Sequence, residues 1–169
     1  MKRAWLSLVF CAAAAAAIVP SLSLEQLVDQ SEVIVHGRVA RSWAEWDRAH
    51  KYIWTHHEIQ VIDPIHGAAA VSIVASEPGG RLDGVEMRFS GALQYSTGEE
   101  AVVFLYRTPI GYWRATGFGQ GKYTVQPGMS VHTDLRGLDL ISRGAAPAGL
   151  DGLTLTEFKT RIRGMLRRK

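Results

Sequence analysis

The nine residues Gly98-Glu99-Glu100-Ala101-Val102-Val103-Phe104-Leu105-Tyr106 set the architecture of this chain. Gly98 and the two glutamates form a polar turn, and Ala101 to Tyr106 is a short, nearly unbroken apolar run. Val102, Val103, Phe104 and Tyr106 are β-branched or aromatic, which suits a strand buried on both faces better than a helix. Thr108-Pro109-Ile110-Gly111 follows as a turn, with proline fixing φ and glycine free to take positive φ. Tyr112 to Thr116 returns as a second strand, so the run predicts a central hairpin. A strand buried on both faces needs neighbours on either side and a covering layer, which other segments must supply.

Upstream, Ser23-Leu24-Glu25-Gln26 matches a capping box, and Leu24, Leu27 and Val28 continue as an amphipathic helix. Val33 to Val39 reads as the first strand, with Gly37 marking a bend or bulge, and Trp43 and Trp46 continue it. Tyr52 to Ile62 reads as the second strand. Ile53, Thr55, His57, Ile59 and Val61 share its inner face, and Trp54, His56, Glu58 and Gln60 share the wetter one. Asp63-Pro64 is expected to end the pairing, and Gly67 to make the turn. Val71 to Ser76 is a third strand, broken by Pro78-Gly79-Gly80. Val85 to Phe89 is a fourth, closed by Gly91.

Downstream, Gly117-Phe118-Gly119-Gln120-Gly121 leads into a strand at Lys122 to Val125. No element is assigned over Gly128 to Ala148. Thr154-Leu155-Thr156-Glu157 is a second capping box, opening a helix with the stripe Leu155, Phe158, Ile162, Met165 and Leu166. Short antiparallel strands with glycine punctuation and a helix at each end predict a mainly β fold. The expectation is an OB-like antiparallel β-barrel over residues 21–150 and a basic amphipathic helix over 151–169.

Met1 to about Pro20 has the build of a secretory signal peptide. Lys2 and Arg3 precede an apolar run from Trp5 to Val19 that includes six consecutive alanines, and cleavage is expected among the alanines or shortly after Pro20. The run is short of the ~20 residues that span a bilayer comfortably. Phe10 before Cys11 argues against a lipidation site. Cys11 is the only cysteine, so the mature chain has none and must rely on a packed core. The same absence excludes thiol nucleophiles and zinc–thiolate centres.

The formal net charge of +3 is unevenly spread. Residues 151–169 carry six Lys/Arg against Asp151 and Glu157, whereas the body is mildly acidic. Secretion and an acidic body argue against nucleic-acid binding.

The capped helix, Val33-Ile34-Val35-His36-Gly37-Arg38-Val39 and the Ile65-His66-Gly67 turn together resemble the OB barrels of the netrin-module and tissue-inhibitor-of-metalloproteinase superfamily. More closely, the chain is similar to a group of exported bacterial proteins without an assigned activity. That similarity rests on Pro78-Gly79-Gly80, Gly84, Met87, Gly91, Gly98-Glu99-Glu100 with Phe104-Leu105, and Gly119-Gln120-Gly121-Lys122-Tyr123, and spans roughly residues 23–126. His66 stands where the pattern has lysine, and Leu93 where it has proline. The superfamily's protease inhibitors place an N-terminal cysteine on the target's zinc, and a chain without a mature cysteine cannot do so. The resemblance implies fold and export, with no catalytic residue and no cofactor.

Residue patterns give no catalytic site either. His56 and His57 are adjacent on a strand, so they diverge and cannot chelate a metal together. His57 is expected to be partly buried and hydrogen-bonded. No Gly-x-Ser-x-Gly elbow is present. Glu99-Glu100 reads as a solvated, diverging pair, and the glycine loop at 117–121 as a tight turn or bulge. The aromatics Trp43, Trp46, Tyr52 and Trp54, on successive strands, form either a binding face or cross-strand packing, with Trp54 expected to be the exposed one.

The leading expectation is therefore an exported, non-enzymatic binding module for a protein partner, such as an exported protease. A hydrolytic or metal-dependent enzyme of the cell envelope is the first alternative. A surface-associated structural protein is the second, with the basic helix making weak contact with an anionic surface.

Overall fold

The computed structural model describes residues 16–67, 71–141 and 150–168. Most of the segment read as a leader (1–15) and the last part (142–148) of the unassigned stretch Gly128 to Ala148 therefore lie outside the described residues. The strands are β1 (Ala17–Pro20), β2 (Val33–Trp46), β3 (Ile53–His66), β4 (Ser72–Pro78), β5 (Gly80–Leu82), β6 (Val85–Met87), β7 (Glu100–Arg107), β8 (Trp113–Ala115), β9 (Lys122–Val125), β10 (Val131–His132) and β11 (Leu138–Ile141). Helices α1 (Leu24–Gln30) and α2 (Leu155–Leu166) complete a mainly β fold.

Strand β7 holds the centre. Ala101 to Leu105 are all buried, because residues of alternate parity enter two different apolar layers. Val102 and Phe104 join Ile34, Tyr123 and the inner faces of α1 and α2. Val103 and Leu105 join Val33, Val35, Ile59 and Ala75 on the opposite side of the sheet, where Leu93 and Tyr95 close over them. Phe104 has no exposed surface, and its ring meets those of Tyr123 and Phe158 at 6.1 and 6.2 Å. Full burial of such side chains contributes roughly 1.5–3 kcal/mol each.

The large sheet has seven strands in the order β10-β9-β7-β2-β3-β4-β8. β8 also pairs with β7 antiparallel through Leu105–Ala115, and it meets β4 in parallel at the single position Ala75–Trp113. Gly37 sits at a register shift between β2 and β3, as its expected bend or bulge requires. A Cβ there would lie 2.5 Å from the Gln60 carbonyl oxygen, so only glycine fits.

Several elements differ from the sequence expectation. β3 does not stop at Asp63-Pro64 but runs to His66, pairing with Ile34 and Val35. β4 pairs with β3 only over residues 54–60, so Pro64 sits where one strand edge is free and a missing N–H is tolerated. Gly79-Gly80 ends β4 but also opens an unforeseen hairpin of β5 and β6. Its turn is Asp83-Gly84, both with positive φ. The glycine loop, read as a tight turn or bulge, is a 3₁₀ turn at Phe118–Gly121. Not all pairing is antiparallel, since β1 lies parallel to β11 and β4 parallel to β8.

Both capping boxes form, at Ser23/Gln26 and Thr154/Glu157. Leu155, Phe158 and Ile162 of α2 are buried, as its stripe requires. Its charges are not all solvated, however, because Lys159 and Arg163 both reach Asp63 at 2.6 Å. Arg161, Arg167 and Arg168 remain exposed. Among the described residues no helix is long and apolar enough to cross a membrane.

Candidate functional site

Three successive rungs of the β2–β3–β4 ladder build an outward face. The register sets Arg41 opposite Glu58, Trp43 opposite His56, and Glu45 opposite Trp54, with Ser76 and Pro78 of β4 extending the last two rungs. Directly paired residues share a face, so Trp43, His56 and Trp54 lie together. Tyr112, from the turn between β7 and β8, completes the group. Its ring lies 4.9 Å from Trp54 and 5.4 Å from His56.

His56 is buried beneath these rings. Trp43 stacks on it at 5.4 Å, its Nδ1 lies 2.8 Å from Ser76 Oγ, and its Nε2 lies 3.0 Å from a Glu45 carboxylate oxygen. Burial lowers its pKa, with Glu45 opposing, so the imidazole is uncharged near neutral pH. Trp43, Trp54 and Tyr112 each keep part of their surface in solvent, and the Arg41 guanidinium sits 4.8 Å above Trp43.

The four aromatics singled out from sequence do not form one platform. Trp43 and Trp54 share the outward face, but Trp46 pairs with Ile53 on the other side of the ladder. There the Trp46 indole N–H donates to Asp83 of the β5–β6 turn at 3.1 Å. Tyr52 precedes β3 and meets Phe89 edge-on at 6.1 Å. Trp54 points outward as its alternation requires, yet it is half-buried rather than exposed because Tyr112 leans on it. Tyr112 carried no signal of this role in the sequence, since only the long-range return of β8 brings it here.

The inward residues of the same strands form a polar cluster. His57 is 4% exposed, its Nδ1 lies 2.7 Å from Ser42 Oγ, and its ring faces Tyr95 at 4.5 Å. Burial, then the Lys122 ammonium and His56, hold its pKa at about 4 against a weaker upward pull from Glu99. Glu77, 3% exposed, is raised by burial despite the Arg114 guanidinium at 3.2 Å. The buried Tyr95 hydroxyl has no hydrogen-bond partner among the described residues.

Glu99 and Glu100 diverge as expected, but neither is merely solvated. Glu99 accepts from Lys122 at 2.7 Å and from Thr124 at 2.6 Å, while Glu100 pairs with His36 at 2.8 Å and with Arg38.

Ser42 and His57 have the spacing of a nucleophile and its base, but an imidazole titrating near 4 is a poor proton acceptor at neutral pH. No carboxylate hydrogen-bonds its other nitrogen among the described residues. No group of three or more His, Cys, Asp or Glu set to hold a metal occurs among them either. Of the remaining motif positions, Gly67, Gly91 and Gly98 occupy bends or turns at positive φ, Gly79 and Gly80 join β4 to β5, also at positive φ, and Gly119 and Gly121 lie in the 3₁₀ turn. Pro78 is the last residue of β4, and Phe104 lies in the core.

Comparison with known proteins finds no matching family profile, no similar curated protein and no similar solved structure.

Proposed function

We propose that this chain is an exported, non-enzymatic binding module of OB-like build that engages a protein partner through Trp43, Trp54 and Tyr112. The observation carrying this reading is that three large rings converge on one sheet face while each keeps surface in solvent. Aromatic anchors with an arginine beside them are the side chains that dominate protein–protein binding energy.

The OB-like build is supported by the pairing order β7-β2-β3-β4-β8, in which β8 also pairs with β7. In such folds the face of the second and third strands and the loops beside it bind ligands. Here those strands are β3 and β4, and Tyr112 is one of those loop residues. The superfamily resemblance makes an exported protease the first partner class to try.

The test is Trp54→Ala, carried through denaturant unfolding and through capture from culture medium or periplasm in parallel. A binding anchor predicts a stability change of about 1 kcal/mol or less with loss of the captured protein. A loss of several kcal/mol with capture unchanged would reduce the face to structure.

A further inference from the structure

The opposite side of β3 opens into a cleft of about 470 Å³, bounded by the β5–β6 hairpin and the chain that follows it. Its volume is within the range of small-molecule sites. Three features give it chemistry. Met87, Phe89 and Leu93 supply an apolar wall. At the rim, Arg81 and Arg88 share the single carboxylate of Glu86 at 2.7 and 2.6 Å, which leaves one positive charge in excess. At the floor lies His57, almost wholly buried, whose Nε2 has no hydrogen-bond partner among the described residues. With Nδ1 taken by Ser42, and Nε2 not among the buried atoms that lack a partner, Nε2 keeps surface at the cleft floor and offers a polar group a partner there.

We propose that this cleft binds a small hydroxylated carboxylate with an apolar body. The carboxylate meets Arg81 and Arg88, the body lies on Met87, Phe89 and Leu93, and the hydroxyl reaches His57 Nε2. A hydroxyl suits this floor for a specific reason. The Ser42 contact fixes Nδ1, and either tautomer leaves Nε2 as one donor or one acceptor, which a hydroxyl can match in both cases. Burial keeps His57 uncharged near neutral pH, so the floor attracts a neutral polar group while the rim takes the anion. The cleft is independent of the outward aromatic face, because successive residues of β3 point to opposite sides.

The probe is 4-hydroxyphenylacetate, titrated into the full chain and followed by protein NMR shifts. Phenylacetate lacks the hydroxyl, tyrosol lacks the charge, and tyramine reverses it. The expected result is saturable binding of 4-hydroxyphenylacetate with shifts around His57 and Arg88. Phenylacetate and tyrosol should bind about tenfold or more weakly, and tyramine not at all. The rim variant Arg81→Gln/Arg88→Gln alters two largely exposed side chains, so the fold is retained, which its melting temperature checks. It should weaken 4-hydroxyphenylacetate by a similar factor. Equal affinity for tyrosol or tyramine, an unaffected rim variant, or no saturable binding at millimolar ligand would overturn the proposal. Equal affinity for phenylacetate would overturn the role of His57.

Discussion

At the residue scale, His57 links burial to a measurable pH response. Its imidazole titrates near 4 in the folded chain, against 6.5 when unperturbed. Between those values the unfolded chain binds more protons than the folded one. For this group, stability is therefore complete above the unfolded pKa and falls as pH drops toward 4. The loss approaches roughly 3 kcal/mol at the acid end. Urea unfolding at about pH 7 and about pH 4.5, in wild type and His57→Gln, isolates this component from the carboxylates. Identical pH slopes in the two proteins would mean that the imidazole is not held neutral by burial.

Phe104 tests the core in the same way. A ring with no exposed surface, packed between Tyr123 and Phe158, should cost roughly 3–5 kcal/mol on truncation to alanine. A loss below about 1 kcal/mol would place β7 at the periphery.

At the scale of elements, legibility followed pattern length. β7 was readable because apolar residues of both parities leave no solvent face, and glycine and proline mark its ends. β6 was read within Val85 to Phe89, but its partner β5 was not, although Asp83-Gly84 is a hairpin dipeptide, because Gly-Arg-Leu is too short to show a period. The outward placement of Trp54 followed from strand alternation, whereas the Ser42–His57 contact depends on a register shift between Val39 and Arg41 that no local pattern announces.

β1 was hidden for another reason, since its residues continue the apolar run read as a leader. It pairs with β11, Ser21 N–H donates to Ile141 O, and the Gln120 amide donates to Pro20 O. Cleavage among the alanines keeps this strand, and cleavage after Pro20 removes it. N-terminal sequencing of the protein from its host should therefore find a first residue no later than Ala17, where β1 begins. A start at Ser21 would show that the β1–β11 pair is absent from the mature chain, and an intact Trp5 would sink export itself.

At the scale of the whole molecule, the Asp63 carboxylate ties the acidic body to the basic helix. Burial pushes the Asp63 pKa up, but Lys159 and Arg163 together draw it below the ordinary range. That anchor leaves Arg167 and Arg168, at the end of α2, exposed to solvent. A different consequence follows from how β2 is flanked. One edge meets β3 across a short polar turn, but the other waits for β7, more than 60 residues further along. Closing so long a loop is entropically slow, and folding dominated by such pairings occupies milliseconds to seconds. The β2–β3 hairpin should thus form early and β7 dock late. In stopped-flow measurements Phe104→Ala should mainly accelerate unfolding and leave the refolding rate nearly unchanged, and a refolding rate slowed in proportion to the lost stability would place β7 in the nucleus instead. Until that docking, the newly folding chain is a two-stranded ribbon with an unpaired flank, open to capture by another chain's strand.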